Sequence, residues 1–201
     1  NENLNEIDLH NKLLTLTNLN FIDAASKIAK QILETNKLNQ EAWMVYLAGS
    51  KLKNSPEAFN ELNLIKLKEE IPLVNYVFFH SDGTIKSIQA SARSVYEIVQ
   101  SSLTDPKSQD VNYNFILFYL KISNILDPSF YEGYYYSAQI YQFLKQFEQA
   151  EPLYNMIPST HSLYFESIIN IALNKSKMNK FAEGEAYLSE LINQHPNEGS
   201  L

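Results

Sequence analysis

Apolar residues recur along most of the chain at spacings of three and four, which is the period of an amphipathic helix. The pattern runs through "FIDAASKIAKQILETN" near the N-terminus and through "QFLKQFEQAEPLY" in the second half. Only 5 Gly and 7 Pro interrupt 201 residues, too few for the many tight turns of a β-sandwich or barrel. The pattern therefore predicts an all-α protein in which helix follows helix.

The same pattern occurs twice in the second half, at a fixed separation. Aligning residues 142–154 with residues 176–188 gives these pairs: Phe147 with Phe181, Ala150 with Gly184, Tyr154 with Leu188, and Lys145 with Asn179. Pro128 and Pro196 are separated by two such periods, and Ala24 and Ala58 repeat the single spacing near the N-terminus. A fixed period of about 34 residues is typical of a helical repeat protein.

A unit of about 34 residues with two helices, an aromatic residue opening the second helix and a closing Pro resembles the tetratricopeptide repeat. The resemblance implies that the helices of a pair approach closely at small residues, here Ala138, Ala150, Ala172 and Gly184. It also implies that Phe147 and Phe181 are buried at the start of their helices. The implied fold is a right-handed superhelical array of antiparallel helix pairs, an α-solenoid whose helices contact mainly their sequence neighbours.

Five units are predicted, at residues 5–38, 39–72, 87–130, 131–164 and 165–198. The first two form an N-terminal group (1–72) and the last three a C-terminal group (87–198), followed by a tail (199–201). Residues 73–86 fit no unit, and we predict there an irregular connector, an extended excursion ended by a turn at Asp82-Gly83. The array departs from the family pattern at Ser162, where Pro is expected, and at Tyr46, where a small residue is expected.

Composition and charge exclude several classes of function. The 23 acidic and 16 basic residues give a net charge of -7, and the basic residues are scattered, which argues against a nucleic-acid partner. The chain has no Cys, so it has no disulfide and no thiolate site. No apolar run approaches the roughly 20 residues of a membrane span, and we predict no transmembrane segment.

A search for catalytic chemistry finds no candidate. Four histidines lie far apart in sequence, without the spacing of a metal site: His10, His80, His161 and His195. The adjacent letters of His80, Ser81 and Asp82 cannot form a hydrolase triad, whose members converge from separate elements. No Gly-rich phosphate loop is present. We therefore expect a protein that is not an enzyme and that uses no cofactor or metal.

The resemblance implies that the first helices of the units line a concave groove. In the fourth unit, Tyr134, Ala138 and Tyr141 have the spacing of core positions, and a second face of the same helix is left for the groove. The predicted partner-binding residues on this face and its counterparts are Trp43, Leu47, Glu132, Tyr135, Gln139, Phe143, Ile169 and Leu173. The alternative reading of each is ordinary packing.

This lining favours an apolar or helical protein segment as the ligand. In related arrays, Lys, Arg and Asn clamp a terminal carboxylate, and we expect no such clamp because aromatic, aliphatic and Gln residues occupy the corresponding places. The resulting hypothesis is a non-enzymatic protein-protein interaction scaffold that binds a peptide or helical segment in its groove. The alternative is a structural or regulatory domain of a larger enzyme or of an envelope transport or assembly complex.

Two further expectations concern the context of the chain. The segments "DGTIKSIQASARSVYEIV" and "FYLKISNILDPSFYEGYYYSAQ" are similar to part of a group of exported bacterial tetratricopeptide proteins, which implies a periplasmic or cell-envelope location, whereas composition leaves the cytoplasm open. At the other end, no capping helix follows the fifth unit. The apolar side of its last helix, at Tyr187, Leu188 and Leu191, is then expected to be exposed, covered by other residues, or used in self-association.

Overall fold

The structure, a computed structural model, describes residues 5–65, 70–104 and 112–194. Over these residues the chain is helical, and its only pairing of extended residues is an isolated antiparallel bridge between Phe79 and Ile85. The helices are α1 (Glu6–Asn18), α2 (Ile22–Thr35), α3 (Gln40–Leu52), α4 (Glu57–Ile65), α5 (Pro72–Phe78), α6 (Ile88–Thr104), α7 (Tyr113–Leu126), α8 (Tyr131–Phe143), α9 (Phe147–Tyr154), α10 (Tyr164–Lys177) and α11 (Phe181–Gln194). The predicted all-α class is confirmed. Pro196 and the tail 199–201 lie outside the described residues.

Local sequence explains where several helices begin. Asn5, Asn39 and Asn112 stand immediately before α1, α3 and α7. Each accepts a hydrogen bond at its side-chain oxygen from the backbone N–H three residues later, at 2.9, 2.8 and 3.1 Å respectively. These bonds satisfy N–H groups that a helix end otherwise leaves without a partner.

The period of the repeat is also visible in the backbone. Four residues other than Gly have positive φ within the described ranges: Asn20, Asn54, Lys145 and Asn179, at 62°, 52°, 60° and 60°. Asn20 and Asn54 are one repeat period apart, and so are Lys145 and Asn179. Each of these four residues follows the first helix of its unit. At each one, the next residue's N–H closes a bond of 2.8 to 2.9 Å to a carbonyl five residues earlier, the C-terminal motif that a left-handed residue permits. The repeat is thus a repeated turn geometry as well as a repeated side-chain pattern.

The described helices belong to two compact units, which divide after Ser129. In unit 1 (Asn1–Ser129), α3 is the central helix, and it packs on α2, α4, α5 and α7. Helix α7 packs on α1 and α3 as well as on its sequence neighbour α6. Both helices are apolar around most of their circumference, so they need cover on more than one side. Unit 1 therefore departs from an array in which only consecutive helices touch.

The repeat pattern expects a small residue at the position that Tyr46 occupies. The structure has one about a turn later, at Gly49. A Cβ atom on Gly49 would collide with the hydroxyl of Ser26 in α2, so a larger residue at this position requires the Ser26 side chain to turn away. Tyr46 itself is buried, and its hydroxyl donates to the Glu61 carboxylate at 3.2 Å. The close contact between α2 and α3 is therefore centred on a different residue from the one expected.

Residues 73–86, expected to be an irregular connector between subdomains, belong to unit 1 and contain most of α5. Ile71, Val74 and Phe78 are fully buried, which anchors the segment in the core of unit 1. The extended part is confined to the turn after α5, where the N–H of Lys86 donates to the carbonyl of Phe78 at 2.9 Å. Its apolar residues contribute to the core of unit 1.

Unit 2 (Phe130–Leu201) contains α8, α9, α10 and α11, and here each helix packs on the next one in sequence. Ala138 and Ala150 are fully buried between α8 and α9, as the small residues of the repeat pattern predict. Tyr154 and Ile171 complete the core between successive helices. In this unit, the stacking follows the order that a helical repeat requires.

The expectation for the two repeat phenylalanines is only partly met. Phe147 at the start of α9 is half-buried, and Phe181 at the start of α11 is 63% exposed. The difference follows the packing of the helices: α9 packs extensively on both α8 and α10, whereas α11 packs extensively on α10 and reaches α9 through the hydrogen bond from Tyr187 to Glu151. Equivalent sequence positions are therefore buried to different extents.

Candidate functional site

Three of the predicted groove residues are core residues. Trp43 is 1% exposed and its indole N–H donates to the carbonyl of Lys37 at 2.8 Å. Leu47, one turn further along α3, is fully buried, and Tyr135 in α8 is 4% exposed. The prediction treated α3 as a helix with one free face, but α3 is covered on all sides. The packing alternative therefore describes these three residues, and no ligand can reach them in this conformation.

Two other predicted residues, Gln139 and Phe143, line an open pocket in unit 2. Its volume is about 430 Å³, and Phe143 is 68% exposed. The residues that line it come from α8, α9, α10 and the turn between α8 and α9: Gln139, Gln142, Phe143, Lys145, Phe147, Asn170 and Lys177. We call this the α8–α10 pocket. It combines three carboxamides, two aromatic rings and two ammonium groups.

The carboxamides of the pocket are held by hydrogen bonds. The Gln139 amide nitrogen donates to the Tyr135 hydroxyl at 3.0 Å. The Tyr154 hydroxyl donates to the Gln142 side-chain oxygen at 2.9 Å, and the Gln142 amide nitrogen donates to the Asn170 side-chain oxygen at 3.4 Å. These bonds connect α8 to α9 and to α10, so the polar groups are positioned before any ligand arrives.

Tyr135 and Tyr154 form the floor below these carboxamides. Their ring centroids are 5.8 Å apart with the planes inclined at 67°, the edge-to-face arrangement that aromatic pairs favour. Burial raises the pKa of both hydroxyls, and the nearby Glu166 carboxylate raises them further. Both therefore stay protonated, and beneath the pocket the Tyr154 hydroxyl donates to Gln142 while the Tyr135 hydroxyl accepts from Gln139.

The two lysines stand at the C-terminal ends of α8 and α10. Lys145 occupies the left-handed position in the turn after α8, and Lys177 is the last residue of α10. The Lys177 ammonium lies 5.6 Å from the centroid of the Phe147 ring, within the range of a cation–π contact. Both ammonium groups thus belong to helix ends that line the pocket.

The other predicted groove residues lie on the same helices without lining the pocket. Glu132 in α8 and Ile169 in α10 are half-buried, and Ile169 packs on the core cluster of unit 2. Leu173 is 49% exposed and lies one helical turn from both Asn170 and Lys177. An apolar ligand that fills the pocket could extend onto Leu173.

Five pocket residues were not predicted as site residues from sequence: Gln142, Lys145, Phe147, Asn170 and Lys177. A signal existed for two of them, since Asn170, Leu173 and Lys177 are spaced by three and four and share one face of α10. Lys145 was recognised only as the partner of Asn179 in the repeat. Its place in the pocket depends on the turn that follows α8, which the periodicity of a helix does not describe.

The segment around His80, Ser81 and Asp82 forms a local turn. Asp82 accepts hydrogen bonds from the backbone N–H and the hydroxyl of Thr84, at 2.9 and 2.6 Å, in a tight turn that also contains His80. Within the described ranges, no group of three His, Asp or Glu side chains is close enough to hold a metal ion. No helix in the described part of the chain is both long enough and apolar enough to cross a bilayer.

The last helix presents a second exposed surface. Of the three residues expected there, Leu191 is buried, Tyr187 is half-buried with its hydroxyl donating to Glu151 at 3.1 Å, and Leu188 is exposed. Phe181 and Ile192 share the face of Leu188 and are 63% and 67% exposed. The side of α11 that meets α10 is therefore covered, and the adjacent face that carries Leu188 is open.

Comparison with known proteins gives a limited result. No family model matches the chain, and no curated protein matches it. A crystal structure of a MamA protein is similar over 98% of this chain and 94% of its own, with 13% identity and a TM-score of 0.48. A second MamA crystal structure covers 93% of this chain and 96% of its own, with 12% identity and a TM-score of 0.48. At that level of similarity, conclusions about this chain rest on its own helices and pocket.

Proposed function

We propose that this chain is a non-enzymatic protein-interaction scaffold that binds a peptide or helical segment of a partner in the α8–α10 pocket. The observation that carries the proposal is the pocket itself, where an exposed aromatic ring lies beside carboxamides held in place by other side chains. An exposed aromatic ring supplies apolar contact area, and oriented carboxamides can bond the main-chain groups of a bound segment.

The environments of the side chains with shifted pKa values in unit 2 support a binding role rather than a catalytic one. In unit 2 the side chains with shifted pKa values are accounted for by burial and by ion pairing: Tyr135 and Tyr154 are buried, Tyr141 is half-buried, and Lys175 pairs with Glu151 and Glu183. None of these groups stands beside a nucleophile in an arrangement that would transfer protons to a substrate. The pocket residues offer hydrogen bonds, apolar contact and charge, which are the means of recognition.

A selection from a phage-displayed library of random peptides on the full chain tests this proposal. We expect clones whose binding falls at least about tenfold, or about 1.4 kcal/mol, with Phe143→Ala. Phe21→Ala is the matched control, because Phe21 is similarly exposed but stands just before α2 in unit 1, outside the pocket. If every selected peptide binds the Phe143→Ala variant as well as the parent chain, the pocket is not the binding site.

Self-association through α11 is a second proposal, supported by the exposed side chains of Phe181, Leu188 and Ile192 on one face of that helix. Sedimentation velocity over a hundredfold range of protein concentration would measure it. We expect association in the parent chain and a monomer after Ile192→Glu. A monomer at every concentration in the parent chain would reject this second proposal.

A further inference from the structure

Unit 2 has a second pocket, between the beginning of α10 and the second half of α11. Its volume is about 250 Å³, and it shares no lining residue with the α8–α10 pocket. We call it the α10–α11 pocket. We propose that it binds the guanidinium group of an arginine side chain of a partner protein. This inference goes beyond the scaffold function and does not depend on the α8–α10 pocket.

The lining combines an apolar floor with two aromatic rings. Ile157, Ile168 and Leu191 line the pocket and belong to the buried core cluster of unit 2. Tyr164 in α10 and Tyr187 in α11 are half-buried, line the pocket and pack against the same cluster. The face of a tyrosine ring attracts a cation, and a planar guanidinium group stacks on it while keeping its N–H groups free for hydrogen bonds. The pocket thus offers a cation more than an aliphatic pocket would.

A carboxylate stands at the same pocket and is oriented by its neighbours. Glu190 accepts a hydrogen bond at Oε1 from the Gln194 amide nitrogen at 3.0 Å. The Gln194 side-chain oxygen lies 3.5 Å from the Tyr164 hydroxyl, which connects this group to α10. Oε2 of Glu190 makes no hydrogen bond to any described residue. It is therefore available to accept a charge-assisted hydrogen bond from a ligand.

The charges on the surrounding helices favour a cation. Helices α9 and α11 contain five Glu and no Lys or Arg. In α10, Lys175 and Lys177 follow Tyr164 by eleven and thirteen residues. Those separations are at least about 16 Å along the helix axis, twice the screening length of about 8 Å at physiological salt. Lys175 is also paired with Glu151 and Glu183. A cation beside Glu190 therefore meets little repulsion.

The remaining groups near the pocket do not reverse this preference. His161, in the turn before α10, packs its ring on Tyr131 of α8 at 5.2 Å and does not line the pocket. The negative end of α11 at Gln194 and the positive end of α10 at Tyr164 oppose each other. Because the two helix ends offset one another, the Glu190 carboxylate decides the sign of the charge that the pocket accepts.

The size of the pocket selects a single side chain. A volume of about 250 Å³ is below the roughly 300 to 1,000 Å³ of pockets that hold drug-sized ligands. Among cationic side chains, Arg suits this lining better than Lys. Its planar group stacks on a ring and presents paired donors to one carboxylate, whereas the ammonium group of Lys is compact and strongly hydrated. A gap that only water fills is the alternative, and it predicts no preference between charged and neutral solutes.

Nuclear magnetic resonance on the full chain, with isotopically labelled Ile and Leu methyl groups, tests the proposal. The probes are N-acetyl-arginine amide and N-acetyl-citrulline amide, which replaces the guanidinium group with a neutral urea of the same shape. We expect saturable shifts of the Ile157, Ile168 and Leu191 methyl signals with the arginine probe. The citrulline probe should bind at least about fivefold more weakly, since it lacks both the ion pair and the cation–π contact. Leu188, exposed on α11 outside the pocket, is the internal control.

Two sets of variants assign the preference to named side chains. Glu190→Gln should reduce the difference between the two probes to less than about twofold. Glu185→Gln is its matched control, an exposed Glu of α11 outside the pocket, and should leave the difference unchanged. Tyr164→Phe keeps the ring and should retain most of the preference, whereas Tyr164→Leu should lose part of it. If Tyr164→Leu does not fold, the parent chain and the substitutions at exposed Glu190 and Glu185 still decide the question.

The outcomes that contradict the proposal are specific. Absence of saturable shifts at the three pocket methyl groups, or equal binding of both probes, would overturn it in favour of a water-filled gap. A preference that survives Glu190→Gln, or that is lost in Glu185→Gln, would overturn the role of the Glu190 carboxylate. Equal binding of N-acetyl-lysine amide would overturn the selection of a guanidinium group. None of these results affects the proposal for the α8–α10 pocket, which is tested at Phe143.

Discussion

Gly184 in α11 lies directly against the backbone of Ala172 in α10. A Cβ atom on Gly184 would be 2.9 Å from the Ala172 carbonyl oxygen and 3.4 Å from the Cβ of Lys175. Backbone atoms cannot turn aside as a flexible side chain can, so the two helices keep this distance only with Gly at the crossing.

Replacing Gly184 with Leu should therefore destabilise the chain, by about 1 to 3 kcal/mol for overpacking. Chemical denaturation monitored by circular dichroism would measure the change in unfolding free energy. Ala182→Leu is the control, because Ala182 lies on the same helix with its side chain exposed. Equal stability of the two variants would show that α10 and α11 do not cross at Gly184.

Tyr135 and Phe143 should respond oppositely to truncation. Tyr135 is 4% exposed and packs on Tyr154, so Tyr135→Ala should cost about 3 to 5 kcal/mol through lost burial and a cavity. Phe143 is mostly exposed, and Phe143→Ala should change the unfolding free energy by less than about 0.5 kcal/mol. Denaturation of the two variants under identical conditions tests the assignment. A strongly destabilised Phe143→Ala variant would make Phe143 a packing residue.

Lys175 joins three helices through two ion pairs. Its ammonium lies 2.8 Å from Glu151 in α9 and 2.8 Å from Glu183 in α11, and its side chain is only 9% exposed. Lys175→Met keeps the apolar stem and removes these charged hydrogen bonds, which should cost about 1.5 to 3 kcal/mol at pH 7. Lys180→Met, at an exposed lysine shortly after the end of α10, should have little effect.

The contribution of these ion pairs should depend on pH. The Glu151 and Glu183 carboxylates raise the pKa of Lys175, so the lysine's share is fully present below the ordinary value of 10.5 and is lost as pH rises through the raised value. Lys175 lowers the pKa of Glu183. The contribution of Glu183 to stability is therefore present above its ordinary pKa of 4.5 and is lost as acidification passes through the lowered pKa. The stability difference between the parent chain and Lys175→Met should therefore be largest between about pH 5 and 10. A difference that stayed constant down to about pH 2 would contradict the pairing.

Trp43 provides a probe of unit 1. It is the single Trp of the chain and is 1% exposed. Its fluorescence should be blue-shifted in the folded state, iodide should quench it poorly, and unfolding should shift the emission to the red. Emission typical of a solvated indole in the native state would contradict its place in the core and restore it as a candidate for ligand contact.

The period of the apolar pattern determined the helices. Spacings of three and four predict helical segments because every third or fourth residue returns to the same side of a helix. The repeat predicted that Ala138, Ala150 and Gly184 are crossing points, since close approach of two backbones tolerates only small side chains. The paired left-handed residues, such as Lys145 and Asn179, belong to the same local information, because a turn involves only a few neighbouring residues.

The sequence could not say which face of a helix stays open. Trp43 and Leu47 have the spacing of groove residues, but their burial depends on α5 and α7, which reach α3 from distant parts of the chain. Phe147 and Phe181 occupy equivalent repeat positions and differ in exposure because α9 packs extensively on two helices and α11 packs extensively on one. A residue's spacing determines the direction of its side chain, whereas its exposure depends on what packs there.

The set of residues that lines the α8–α10 pocket also depends on tertiary packing. Gln139 and Phe143 could be assigned to one face of α8 from their spacing, but Asn170 and Lys177 become their neighbours only through the packing of α10 on α9. Lys145 joins them because the chain turns sharply after α8. The helical period along one segment carries no information about the distance to another. The amino-acid sequence by itself thus determined the helices and their close crossings, and only the tertiary structure brought carboxamides, aromatic rings and ammonium groups together in one pocket.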